Sequence, residues 1–155
     1  EADPCLYVKD IEGTRVFLIV HVDDCILIGE SKALLMIKKD ISALFEVSDI
    51  GSIKYFLGIE LIRNVEDGML WIGQRHYAKN ILKRFEMNDC KPKLSPLDAN
   101  MQLSKTGTPL DADVPYRELI GCLLYLSTCT RPDLAHSVGM LSRFVSAPQK
   151  EHWEV

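Results

Sequence analysis

Two apolar segments, Val16-Phe17-Leu18-Ile19-Val20 and Cys25-Ile26-Leu27-Ile28, are separated by only His21-Val22-Asp23-Asp24. Continuous apolar runs of this length suit strands buried on both faces, although periodicity alone also allows a buried helix. Four intervening residues leave room for little but a tight reversal, so the stretch is expected to form a hairpin with acid at its tip. Ionised carboxylates are costly to bury, so Asp23 and Asp24 must meet water, a cation or a partner there. On extended chain, neighbouring side chains alternate, so one carboxylate faces a site while the other sits near its rim.

Two readings of the pair stay open at this level. Asp is a common turn residue, and an Asp pair at a tip is often only a turn. Magnesium, however, favours carboxylate oxygens together with waters and substrate phosphates, and two such ions can activate an attacking oxygen and stabilise a leaving one. A single hairpin cannot hold both ions. A further carboxylate is required, and nothing in the sequence identifies it.

Around this hairpin the pattern predicts an α+β chain. Leu6–Val8 and Arg15–Val22 flank a polar turn containing Gly13. Ser31 is placed to cap a helix reaching about Glu46, with Leu34, Ile37, Ile41, Leu44 and Phe45 inward. Tyr55–Ile62 reads as a strand that turns through Glu66-Asp67-Gly68 into Met69–Ile72. Helical spacing returns from Arg75 to about Met87, with Tyr77, Ile81, Leu82 and Phe85 on one side. Four of the seven prolines fall between Lys91 and Pro115, which places a domain boundary there. Beyond it, Tyr116 to about Cys129 and Pro132 to about Ser146 read as helices, the second opened by Pro132.

Charge separates along the chain. Residues 1–74 hold 7 basic and 13 acidic side chains, whereas 75–105 hold 7 basic and 3 acidic. His76, Lys79 and Lys83 share one helical face opposite the apolar one, which is either a solvated face or one that follows a phosphate backbone. No apolar run approaches the roughly 18 residues of a membrane span, so no membrane partner is expected. The five cysteines form no CxxC pair and no Cys/His ligand spacing, which speaks for reduced thiols. An opening at Glu1-Ala2-Asp3-Pro4, without an initiator Met or targeting segment, suggests a piece of a longer polypeptide.

The stretch Phe17 to Gly29 resembles the hairpin around the Tyr-Val-Asp-Asp signature of reverse transcriptases from copia-type LTR retrotransposons. Similar spacing follows at Lys54-Tyr55-Phe56-Leu57-Gly58-Ile59-Glu60, at Gln74–Ala78 with Leu82–Met87, at Tyr116–Leu126, and at Thr130-Arg131-Pro132-Asp133-Leu134. The resemblance spans nearly the whole chain.

It implies a partial polymerase palm over residues 1–74, an antiparallel sheet with a packed helix. A thumb-like helix and Pro-rich linker would follow over 75–115, and the helical start of a connection over 116–155. It implies Asp23 and Asp24 as catalytic and metal-binding residues. Phe56, Leu57 and Gly58 would form a hairpin that steadies the primer end, and Arg75, Lys79 and Lys83 would contact nucleic acid. Partners would be an RNA template, a DNA primer, deoxynucleoside triphosphates and the other polyprotein domains, in an intracellular setting that includes virus-like particles. The remaining catalytic Asp would lie upstream of Glu1, so magnesium would be held in the complete polymerase and weakly or not at all here, leaving the chain alone inactive. His21 stands where the family has Tyr, and a buried place beside the strand end is expected for it. The alternative is a repurposed fragment that binds nucleic acid or protein without turnover. A third outcome is self-association through an exposed sheet edge.

Overall fold

The computed structural model describes residues 3–98 and 100–155; Glu1 and Ala2 of the opening stretch lie outside it. The chain divides into two compact units, one reaching Ile53 and the other starting at Lys54. The proline-bearing segment 91–115 thus lies within the second unit.

In the first unit, β1 (Leu6–Ile11), β2 (Thr14–His21) and β3 (Asp24–Ile28) form an antiparallel sheet in that order. Glu12 and Gly13 connect β1 to β2 with φ of 49° and 83°, the left-handed pair that matches the twist of a two-residue hairpin. The apolar run of β2 reflects its central place. Helix α1 (Ser31–Leu44) covers one face, where Val16, Ala33 and Ile37 are buried and Ile11, Leu27, Leu34 and Ile41 pack around them.

Within the described first unit, β2 is covered by α1 on one face, and on the other its Phe17 and Ile19 are half-buried. The register puts Leu6, Val8, Phe17, Ile19, Ile26 and Ile28 on the side opposite α1, and Leu6, Val8 and Ile28 are 41–53% exposed. The apolar stripe of α1 is also shorter than its spacing suggests: Leu44 and Phe45 are 77% and 66% exposed, while the small Ala33 fills the core. Ser31 does not cap the helix. The cap is Glu30, whose carbonyl accepts from Leu34 N–H at 2.9 Å while its carboxylate accepts from the Thr14 hydroxyl.

The second unit begins with a smaller antiparallel sheet, β4 (Tyr55–Phe56), β5 (Ile59–Asn64) and β6 (Met69–Gly73). The single strand expected over Tyr55–Ile62 is broken because Leu57 and Gly58 adopt φ of 48° and 79°, reversing the chain. Between β5 and β6, Asn64 Oδ1 accepts from the Glu66 and Asp67 N–H groups and shapes the turn.

Helix α2 (Arg75–Arg84) is shorter than its periodicity suggests, whereas α3 (Tyr116–Cys129) has the bounds expected. The helix expected from Pro132 starts as a 3-10 turn, Pro132–Leu134, before α4 (Ala135–Ser142). Ile81, Tyr116, Ile120, Leu126, Val138 and Phe144 are buried, and the Tyr116 hydroxyl donates to the Leu141 carbonyl at 2.9 Å.

Segment 104–110 is sewn to α5 (Lys150–Trp153) and the residues before it. Leu110 N–H donates to Pro148, and Lys150 N–H to Thr108. His152, 2% exposed, accepts from Gln149 N–H at Nδ1, so its proton sits on Nε2 and is donated to the Ser104 carbonyl. All five cysteines are free thiols. Among the described residues no helix is long and apolar enough to cross a membrane.

Candidate functional site

The acidic residues stand at the tip between β2 and β3. His21 pairs with Asp24, leaving Val22 and Asp23 as the connection. Val22 has φ of 53° and is 83% exposed. A β-branched residue in the left-handed region is a steric outlier costing on the order of 1–2 kcal/mol. Asp23 and Asp24 are both exposed. Leu27 packs under α1, so alternation sends Asp24 to the opposite face of the sheet, while Asp23 lies in the turn itself. His21 is exposed, not buried as expected, because it is the last strand residue before the turn and pairs with Asp24, the first residue after it.

Oxygen donors from two carboxylates suit magnesium chemically. Among the described residues, however, no group of three or more His, Cys, Asp or Glu side chains could hold a metal.

In the second unit the residues expected to meet nucleic acid fall into two places. Tyr55 pairs with Glu60 across β4 and β5, so their side chains share a face, and α2 starts two residues after β6 ends. Tyr55, Glu60, Arg75, His76 and Lys79 line a pocket of about 370 Å³. Lys83, one turn further along α2, is exposed and outside that lining. Glu60 Oε1 accepts from the His76 N–H at 2.7 Å, doing for α2 what its N-cap Gln74 does not. A carboxylate already offsets the positive end of the helix, so an anion here would be held by the Arg75 and Lys79 side chains. Arg84 is ion-paired with Glu118.

Phe56, Leu57 and Gly58 make the β4–β5 turn. The Leu57 carbonyl accepts a hydrogen bond from the Tyr125 hydroxyl on α3. A Cβ on Gly58 would lie 3.2 Å from that oxygen, so glycine is required there both by φ and by the approach of Tyr125. Tyr125 packs edge-on to Tyr77 at 5.2 Å between ring centroids. Burial, and after it the Cys122 thiol, pushes the Tyr77 phenol up to about 12; burial, and after it Cys129, also raises Tyr125. At neutral pH the Tyr125 hydroxyl is therefore protonated and able to donate.

Tyr55, Glu60 and Tyr125 carry this geometry although in the sequence each stands only as a member of a stretch that bears the resemblance, with no role of its own. Tyr55 and Glu60 sit within the stretch containing Phe56-Leu57-Gly58, but nothing in the sequence links position 125 to position 57.

A family profile described as reverse transcriptase (RNA-dependent DNA polymerase) matches residues 1–99. The chain belongs to that family. It is 39% identical over 162 aligned residues to a retrovirus-related Pol polyprotein from transposon TNT 1-94 of Nicotiana tabacum, covering 99% of this chain and 12% of that polyprotein. It is 35% and 37% identical to the Pol polyproteins of transposons RE2 and RE1 of Arabidopsis thaliana, over 98% and 97% of this chain and 10% of each relative. The resemblance to copia-type elements is thus borne out over nearly the whole chain. This reverse transcriptase segment spans about a tenth of the length of the relatives it matches. No solved structure matches it.

Proposed function

We propose that the chain is the part of a retrotransposon RNA-directed DNA polymerase that carries two of the carboxylates of its nucleotidyl-transfer site, Asp23 and Asp24. The first unit, together with the β4–β6 sheet, acts as palm, α2 as thumb and the helices after Pro115 as the start of the connection. The observation that carries this reading is the exposed Asp pair on a tight hairpin tip, backed by α1 across the sheet.

Asp23 and Asp24 would hold magnesium together with a carboxylate from outside these 155 residues. The metal supplies charge to stabilise the attacking and leaving oxygens. The primer 3′-hydroxyl gives its proton to water and its oxygen forms a bond to the α-phosphorus of an incoming deoxynucleoside triphosphate. The bond from that phosphorus to the bridging oxygen breaks and pyrophosphate leaves. The Phe56–Gly58 turn steadies the primer end, and Arg75, Lys79 and Lys83 engage backbone phosphates of the template–primer. The setting proposed is intracellular, with the remaining polyprotein domains as partners.

The test is primer extension on an RNA template. The chain alone is expected to give no product with magnesium or manganese. A chimera carrying this segment in place of its counterpart in the tobacco Pol polyprotein is expected to extend the primer. Asp23→Asn or Asp24→Asn in the chimera lowers the rate by at least about 100-fold, because each removes a negative charge worth several kcal/mol to the transition state. Extension at the parental rate by either variant refutes the assignment.

A further inference from the structure

Resting on the reading of Phe56–Gly58 as the turn that steadies the primer end, we propose that Tyr125 is its positioning residue. Its hydroxyl holds the Leu57 carbonyl and fixes the turn against α3.

Three observations lead there. Strand β4 has two residues and two register pairs with β5, extended only by the Leu61 N–H donating to the Lys54 carbonyl at 2.9 Å, a short ladder on which to hold a strained turn. Leu57 nevertheless adopts the left-handed backbone that a side chain disfavours, so something beyond the ladder must hold it. The Leu57 carbonyl finds its partner on a residue 68 positions away, and the neighbouring glycine leaves room for that phenol. The edge-on contact with Tyr77 in turn ties Tyr125 to α2, the helix that bears Lys79 and Lys83. A strand gripped by the basic side chains of α2 is thereby held in register with the turn through Tyr77, Tyr125 and Leu57.

Tyr125→Phe removes the hydroxyl and keeps the ring and its contact with Tyr77. In the full 155-residue chain, the Leu57 carbonyl carbon resonance is expected to shift upfield. Amide exchange at Gly58 and Ile59 should rise about tenfold, the effect of losing one net hydrogen bond, with Ile120 and Leu126 unchanged. In the polyprotein chimera, kcat for primer extension should fall about tenfold while the Kd for template–primer stays within about twofold, because the phosphate contacts remain and the reacting end is misplaced. A defect of folding alone would instead lower the fraction of active sites found by titration.

An unchanged Leu57 resonance in Tyr125→Phe overturns the proposal, as does a shifted resonance with unchanged kcat. Gly58→Ala in the same chimera separates the two failures. If it lowers kcat while Tyr125→Phe does not, the latch is wrong and the turn stands. If neither variant lowers kcat, the primer-steadying reading itself has failed.

Discussion

Each unit of the chain contains a two-residue hairpin turn with a bulky residue in the left-handed region, Val22 at 53° in one and Leu57 at 48° in the other. The surroundings differ. Val22 is 83% exposed and the carboxylates beside it face water, whereas the Leu57 carbonyl is bonded to a tyrosine and Gly58 lies against the same ring. A tip whose side chains are to bind something from outside must keep them uncommitted. A tip that presents backbone can be clamped from behind. The same conformational expense is thus local in the first unit and tied to a helix in the second.

The largest expected effect that would break this contrast comes from Gly58→Ala. A Cβ at φ of 79°, 3.2 Å from the Tyr125 oxygen, both strains the backbone and pushes on the clamp. Destabilisation of about 2 kcal/mol is expected, seen calorimetrically as a fall in Tm of roughly 10 °C for the second unit. An unaltered Tm would mean the turn is as loose as the acidic tip.

The acidic hairpin was legible in the sequence because an apolar run interrupted by two charges admits few structures. Helix α3 was legible as an element running from Tyr116 to about Cys129, and Tyr116, Ile120 and Leu126 are buried in it. The break within Tyr55–Ile62 was harder: one glycine in a β-rich run is compatible with a bulge or an uninterrupted strand, and the left-handed Leu57 has no signature of its own. Ala33 escaped because an alanine contributes little to an apolar pattern yet fits where a helix lies close on a sheet. Glu60 carried no assignment beyond the strand it sits in, and only the fold brings it to the start of α2. The clamp by Tyr125 depends on a contact between residues 68 positions apart, which no local pattern encodes.

A smaller effect, of opposite sign, is expected from Val22→Gly. Relief of left-handed strain, on the order of 1–2 kcal/mol, is partly cancelled by the 0.5–1 kcal/mol that glycine loses in backbone entropy. The first unit should gain roughly 0.5–1 kcal/mol, read as a higher urea midpoint from a probe within β2. A loss instead would show that some interaction holds Val22 in place, and the two tips would then be alike.

The smallest effect concerns acid, and it tests whether the first unit is anchored away from its tip. The Asp49 carboxylate accepts from the Lys38 ammonium on α1 at 2.8 Å and from Gly51 N–H at 2.9 Å. The Lys38 bond first, and the Gly51 bond after it, hold its pKa below the ordinary 3.8. A depressed folded-state pKa means that this contribution is complete above the unfolded value and disappears as pH falls through the folded one. The first unit should therefore lose a little stability below about pH 4, and Lys38→Met should reduce that dependence. Both groups lie in water, so the change is small. In the second unit Asp133 is lowered in the same way by its hydrogen bonds to Arg131, so Arg131→Met is the matching variant there. Side-chain carboxyl titrations followed by NMR should show Asp49 moving towards its ordinary value in Lys38→Met and Asp133 doing so in Arg131→Met, each without the other. If Lys38→Met leaves the Asp49 titration where it was, the ion pair does not anchor the segment after α1, and the first unit rests on its sheet and helix alone.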